Sequence, residues 1–220
     1  MENLKPRQER TEKDLVQVKF TGNNKNIVGN FKSVLKVWRI MKPVIIDLTS
    51  EGLDDTKIKD LSELLIEFVP LIRSLCVRRN GFGDVGAEAL ANLISKKLQR
   101  FIYLEMSRNK VTDIGAIKIL EALKENTRVK TLFIDYGNDI KNKKIVQDIQ
   151  IEVEANNQIN KEAKKYLQQG EDFGKLKIQD KGPTFLRCAI KCIHLLFMVE
   201  VDLSDNLLDF EDAKKLAEVI

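Results

Sequence analysis

Gly81, Gly83 and Gly86 form the pattern G-x-G-x-x-G, the spacing of a loop that holds the pyrophosphate of a dinucleotide. Such a loop follows a strand and opens a helix, and the flanking residues here suit both elements. A related segment 29 residues later has Lys110 and Thr112 in place of the first two glycines, so this turn does not depend on them. We therefore interpret the pattern as a structural turn. The chain has no G-x-x-x-x-G-K-S/T motif.

A second cluster of reactive side chains is C-x-x-x-C-x-H, formed by Cys188, Cys192 and His194. Two cysteines one helical turn apart could share a metal ion, but structural zinc usually has four ligands and the sequence offers no second ligand cluster. The chain contains three cysteines and a single histidine. We predict buried thiols, no metal and no cofactor. Because no nucleophile–base pair is visible, we also predict no catalytic residue and no enzymatic activity.

Charge and hydropathy restrict the partners and the compartment. Lys and Arg number 37 and Asp and Glu 33, a net charge of +4, which is too balanced to favour a nucleic-acid partner. The longest apolar run, Leu195–Val199, is far shorter than the ~20 residues of a membrane span, so no membrane partner is expected. The polar start of the chain and its odd cysteine count favour a cytoplasmic location, with the nucleus as the alternative.

An internal repeat is the strongest signal in the sequence. Residues 73–94 and 102–123 match at an offset of 29 residues, and a third copy spans 199–220. Leu75 falls on Leu104, and Asn80 falls on Asn109. Weaker copies fill the intervals, so that the residue ending each strand recurs at positions 23, 51, 80, 109, 138, 181 and 206. One such unit cannot bury its own apolar side chains, so neighbouring units must stack.

The pattern L-x-x-L-x-L-x-x-N-x-L, followed by x-D-x-G-A and an amphipathic stretch, resembles the leucine-rich repeat. A period of 28–29 residues with a full helix in each unit is similar to the ribonuclease-inhibitor subclass. The resemblance covers about Leu15 to Ile220. It implies an α/β solenoid, a horseshoe arc with a parallel sheet on the concave side and helices on the convex side. It also implies that the protein binds other proteins.

The repeat defines the expected domain organisation. Residues 1–14 form a polar leader that we expect to be disordered or to be part of the first cap, and residues 15–220 form one leucine-rich repeat domain of about seven units. The interval between the pivots at 138 and 181 is longer than the others, so we place an insertion near residues 156–171. At the last unit, an open strand edge predicts self-association or continuation of the solenoid.

Strand alternation predicts which side chains line the concave face. We expect Phe133 and Tyr136 to be exposed there, whereas Leu132 and Ile134 face the core. Exposed aromatic residues beside arginines are typical of protein-binding surfaces. The predicted binding residues of the middle units are Arg78, Arg79, Tyr103, Glu105, Arg108, Phe133, Asp135 and Tyr136.

Three functions remain open from the sequence. The first is a non-catalytic interaction module, a scaffold or regulator that holds a protein of unknown identity on its concave face. The second is a GTPase activator similar to the Ran GTPase-activating proteins, in which Arg78, Arg79 and Arg108 would approach a small GTPase. The third is the repeat portion of a larger sensor or cytoskeletal regulator.

Overall fold

The computed structural model describes residues 9–11, 15–19, 29, 44–68, 72–96, 101–169, 175–177, 191, 200–202 and 214. The strands in these ranges are β1 Glu9–Thr11, β2 Leu15–Lys19, β3 Val44–Asp47, β4 Ile72–Cys76, β5 Tyr103–Glu105, β6 Thr131–Phe133, β7 Lys175–Lys177 and β8 Glu200–Asp202. The helices are α1 Asp55–Phe68, α2 Asp84–Ser95, α3 Asp113–Lys124 and α4 Lys143–Gln169.

Strands β1 to β6 form one sheet in chain order, and every pair from β2 to β6 is parallel. Successive helices α1 to α4 pack against one another beside it. The residues predicted to align across the sheet do so, since Ser74 pairs with Tyr103 and Tyr103 with Thr131. The predicted α/β solenoid with a parallel sheet is therefore confirmed.

The core lies between the sheet and the helices because each element is apolar on one side only. Leu75 and Val77 alternate along the end of one strand and are fully buried. Ala87, Leu90 and Ile94 follow helical spacing on α2 and are also fully buried. Burial of such aliphatic side chains contributes about 1.5–3 kcal/mol each, which favours stacking of the units.

Asparagines end the strands and join neighbouring units. The Asn109 side chain donates to the carbonyls of Val77, Met106 and Ser107, and its Oδ1 accepts from the backbone N–H of Asn80 at 3.0 Å. Asn80 and Asn138 make the equivalent contacts one unit before and one unit after. Each asparagine therefore bonds both to backbone at the end of its own strand and to the preceding unit.

Aspartates join the start of each helix to the next unit. Asp55 Oδ1 accepts from the backbone N–H groups of Gly83 and Gly86 at 2.8 and 2.7 Å. Asp84 makes the same pair of bonds to Thr112 and Gly115. Gly86 is closely packed, since a Cβ added there would lie 2.8 Å from the Phe82 ring and 3.0 Å from Asp55. Packing therefore explains Gly86, the last glycine of the pattern, without a nucleotide.

Two parts of the predicted domain organisation fall within described elements. Residues 9–11 of the predicted leader form β1, which pairs antiparallel with β2. A β-strand at a sheet edge has unpaired backbone groups, and a preceding segment can satisfy them. Residues 156–169 of the predicted insertion are the second half of α4, in which Asn156 and Ile159 are buried.

The two C-terminal strands, β7 and β8, pair in parallel with Leu176 opposite Val201, as the repeat predicted, but they form a separate two-stranded sheet in the described residues. The remainder of the last unit lies outside the described residues, apart from Lys214. Cys188, Cys192 and His194 also lie outside them. Within the described ranges, none of the helices has the length and hydropathy to cross a membrane.

Candidate protein-binding surface

The eight predicted binding residues lie on or at the end of strands β4 to β6. Cys76, Glu105 and Phe133 form one row across these strands by direct pairing. Phe133 is 48% exposed and Tyr136 is 64% exposed, whereas Ile134 is buried and Leu132 is partly buried against the core. The predicted register is therefore correct. We call these eight residues the concave patch.

The aromatic side chains of the concave patch form two pairs. The rings of Tyr103 and Phe133 meet edge to face, with centroids 5.8 Å apart. The Arg108 guanidinium lies 4.7 Å from the centre of the Tyr136 ring, and its Nη2 donates to the Tyr136 hydroxyl at 2.9 Å. Both geometries are favourable. These contacts restrict the aromatic side chains before binding. The side chains of the concave patch would therefore lose little conformational entropy when a partner binds.

The acidic groups of this face already have partners. Glu105 Oε1 accepts from the backbone N–H of Ser107 at 2.9 Å. Asp135 forms an exposed ion pair with Lys143 of α4 at 3.2 Å. On β3, two units before Glu105, Asp47 accepts from the backbone N–H and the hydroxyl of Thr49. A carboxylate at the end of a strand thus bonds to the residue two positions on, as in an Asx turn.

The arginines of the concave patch lack some of the hydrogen bonds and ion pairs that they could form with described residues. Nε of Arg78 and Nε of Arg108 are both buried and have no hydrogen-bond partner in the described part of the chain. None of the three arginines Arg78, Arg79 and Arg108 forms an ion pair with a described residue. Arg79 and Arg108 have φ of 56° and 55°, so each sits in the left-handed region as the chain turns out of its strand.

A cavity of about 390 Å³ opens beside β6. Arg78, Phe133 and Tyr136 line it from the concave patch, and Val146 and Ile149 line it from α4. It therefore combines one cationic and two anionic side chains and exposed aromatic rings with an apolar wall. The sequence did not predict the contribution of α4. The relevant signal was the apolar spacing of residues 145, 146 and 149.

Two groups on this face have altered pKa values. Burial raises the pKa of the Cys76 thiol, and its hydrogen bond with Thr49, whose Oγ1 lies 3.1 Å from the sulfur, offsets part of that rise. Burial raises the pKa of Tyr103 as well, with smaller contributions from Glu105 and Cys76. Both groups are therefore uncharged at neutral pH. Within the described residues no cluster of His, Cys, Asp and Glu could hold a metal ion.

Comparison with known proteins supports the fold. A family model described as leucine-rich repeat matches residues 70–91 and 101–120. Among solved structures, leiomodin-1 actin-binding site 2 is similar with a TM-score of 0.53 and 19% identity over 69% of this chain and 86% of that one. The tropomodulin C-terminal domain of Caenorhabditis elegans has a TM-score of 0.53 and 17% identity over 73% and 92%. No curated protein sequence gave a significant match. The fold is thus that of a leucine-rich repeat solenoid.

Proposed function

We propose that this chain is a non-catalytic protein-interaction module, a scaffold or regulator, that binds a protein partner on the concave patch. The observation that carries the proposal is the exposure of Phe133 and Tyr136 at 48% and 64% beside Arg108. Exposed aromatic rings cost solvation free energy and contribute nothing to the core, whereas aromatic residues and arginine dominate the energetics of protein interfaces. A cytoplasmic or nuclear location and membership of the ribonuclease-inhibitor-like subclass form part of this proposal.

Actin is the first specific partner to test. The similar structure of leiomodin-1 is named as an actin-binding site, and the alternative that this chain belongs to a cytoskeletal regulator predicts the same class of partner. The likeness concerns the fold, so the surface residues must carry the argument. An actin interaction that depends on Phe133 and Tyr136 would support both the likeness of fold and the concave patch as the binding surface.

A small GTPase remains the second specific alternative. Arg78 and Arg79 follow one strand and Arg108 follows the next, and an arginine can stabilise the transition state of phosphoryl transfer. Single-turnover GTP hydrolysis with purified small GTPases distinguishes the two functions. An interaction module leaves the hydrolysis rate unchanged, whereas an activator raises it by orders of magnitude and loses this effect in an arginine variant.

The proposed function is tested by quantitative affinity capture from extracts of the source cells. Wild type is compared with the double variant Phe133→Asp, Tyr136→Asp and with a matched control, Val85→Asp, Ile114→Asp. The control residues are also exposed, at 57% and 66%, but they lie on helices. We expect a protein that both wild type and the control retain and the concave variant loses. Equal capture by all three would contradict the concave patch as the binding surface.

Purified actin is then used directly in sedimentation with filaments and in assembly assays with monomers. The concave double variant is again compared with the helix control. Actin binding that is lost only in the concave variant supports the cytoskeletal alternative. Actin binding that both variants retain would place the interaction elsewhere on the chain.

A further inference from the structure

The charged groups of the concave patch are unequally satisfied. Its carboxylates Glu105 and Asp135 have a backbone donor and a lysine as partners. In contrast, Arg78, Arg79 and Arg108 form no ion pair with any described residue. On this face, the buried side-chain atoms without a hydrogen-bond partner in the described part of the chain are therefore guanidinium Nε atoms, those of Arg78 and Arg108.

Arg78 is the least satisfied of the three. Its side chain is half-buried, its Nε has no partner in the described part of the chain, and it lines the cavity beside β6. A buried donor that loses water without gaining an acceptor is energetically costly. The two Nη atoms at the outer edge of a guanidinium also present two parallel N–H groups, a geometry that matches the two oxygens of a carboxylate.

The rest of the cavity specifies what must accompany that carboxylate. Phe133 is exposed on one side, and Val146 and Ile149 of α4 form an apolar wall on another. A volume of about 390 Å³ exceeds what a carboxylate alone would fill, and it lies within the usual range for ligand pockets. The complementary group is thus an anion with an adjacent apolar side chain.

We infer that the partner presents a polypeptide segment in which an Asp or Glu pairs with Arg78 while a neighbouring apolar side chain enters the cavity between Phe133 and α4. This inference rests on the proposed function and adds the chemistry of the partner. Arg79 and Arg108 then provide a cationic margin for further carboxylates. Electrostatic complementarity of this kind gives specificity and increases the rate of association.

The same face disfavours nucleic acid as the occupant. Glu105 lines the cavity together with Arg78, and Asp135 lines it as well. A continuous phosphate backbone would bring several anions against these two carboxylates, and like charges at close range are unfavourable. A peptide carries its carboxylates at separate positions beside apolar groups, so it can place a single one at Arg78 and meets less repulsion from these two carboxylates than a phosphate backbone does.

The test uses the full chain and a phage-displayed library of random 12-residue peptides. Selection is on wild type, with prior removal of phage that bind the double variant Phe133→Asp, Tyr136→Asp. Enriched peptides are synthesised with their Asp and Glu residues and again with Asn and Gln in their place. Binding is measured by fluorescence anisotropy at 0.15 M salt, with a 20-nucleotide single-stranded DNA as the competing class of ligand.

Three variants separate the role of Arg78 from net charge. Arg78→Gln removes the guanidinium, Arg78→Lys keeps the charge without the paired donors, and Arg128→Gln removes an exposed arginine before β6, at the other end of the strands. We expect Arg78→Gln to weaken binding of the acidic peptides by about ten- to a hundredfold, because a hydrogen-bonded charge pair is lost. Arg78→Lys should bind the acidic peptides more tightly than Arg78→Gln but less tightly than wild type, and Arg128→Gln should bind them as tightly as wild type.

The amide peptides complete the test. They should bind wild type as weakly as the acidic peptides bind Arg78→Gln, and they should lose nothing further on that variant. Enriched peptides without carboxylates, or equal effects of Arg78→Gln and Arg128→Gln, would overturn the inference while leaving the proposed function in place. DNA bound as tightly as the peptides, or no enrichment at all, would also overturn it, and the capture experiment would then decide the proposed function separately.

Discussion

Side chains at equivalent positions of successive units, 28–29 residues apart, form hydrogen bonds with the backbone of the neighbouring unit. Asn80 accepts from Leu53 and donates to Leu48, and Asp84 accepts from Thr112 and Gly115 of the next unit. Each contact satisfies a backbone group at a strand end or a helix start that would otherwise be unpaired. Each unit is therefore stabilised in part by side chains of its neighbours.

The close approach at the helix starts gives the first prediction. A Cβ at Gly115 would lie 2.6 Å from Asp84 Oδ1 and 2.9 Å from both Ala87 and Val111, so Gly115→Ala must displace several atoms. We expect a loss of about 1–3 kcal/mol in the free energy of unfolding, measured in urea. Gly81→Ala is the control, because the nearest atom there is the Leu53 carbonyl at 3.8 Å. Equal stability of the two variants would contradict the packing explanation of the glycine at the helix start.

The raised pKa of Cys76 gives the second prediction. Alkylation requires the thiolate, so the labelling rate of Cys76 should reach its half-maximum at a higher pH in the folded chain than in the chain unfolded in urea. Thr49→Val removes a hydrogen bond that lowers this pKa, and the half-maximum should move to still higher pH. Mass spectrometry of the peptide that contains Cys76 gives the rate. The same pH profile in the folded and unfolded chain would contradict the burial effect.

At the scale of elements, the two faces of the parallel sheet have different roles, since one forms the core and the other carries the candidate binding surface. One face of β4 to β6 packs on the helices through residues such as Leu75 and Leu104, and the other carries the concave patch. Alternation along a strand assigns successive residues to opposite faces. A binding surface can therefore differ from unit to unit while the core of the sheet stays constant.

The third prediction concerns the core face of β5. Leu104 is fully buried between Leu75 and Leu132 of the adjacent strands, so Leu104→Asp would bury a carboxylate among apolar side chains. We expect a loss of several kcal/mol in the free energy of unfolding. Thr131→Asp, which places the same residue on the concave side, should cost about 1 kcal/mol or less. The two variants are compared by circular dichroism during thermal and urea unfolding, and a near wild-type melt of Leu104→Asp would refute the assignment.

At the scale of the whole molecule, one buried lysine joins distant parts of the chain. Lys191 Nζ donates to the carbonyls of Leu123 and Asn126 at 2.8 and 2.9 Å, and it lies 2.9 Å from Glu152 Oε2. It also bonds to Asn156 Oδ1 at 2.8 Å. A cation at the end of α3 interacts favourably with the helix dipole, and these bonds attach residue 191 to both α3 and α4.

The fourth prediction concerns the contribution of Lys191 and Glu152 to the free energy of unfolding. Lys191→Met would remove the ammonium group that lies 2.9 Å from the almost fully buried Glu152 carboxylate, and we expect a loss of about 3–5 kcal/mol in the free energy of unfolding. Lys191→Met combined with Glu152→Met removes both charges and should be more stable than either single variant. Urea unfolding of all four proteins forms a double-mutant cycle. Additive losses would indicate that the two side chains do not interact.

Much of the fold and of the candidate surface could be predicted from the sequence because a regular repeat gives equivalent residues equivalent surroundings. The offset of 29 residues aligned Cys76 with Glu105, and alternation placed Phe133 on the exposed side before any coordinates were known. A repeat of this length also allows only stacking that buries the apolar stripe. Fold class, strand register and the members of the concave patch therefore follow from local pattern alone.

Tertiary structure decided the features that do not repeat. The pairing of β1 with β2, the α4 wall of the cavity and the bonds of Lys191 each join segments whose separation does not recur along the chain. The sequence showed arginines and carboxylates side by side, but not that Asp135 pairs with Lys143 while Arg78 lacks an ion-pair partner in the described residues. Pairing depends on side-chain distances of a few ångströms, and only the packed positions of the strands and helices determine those distances.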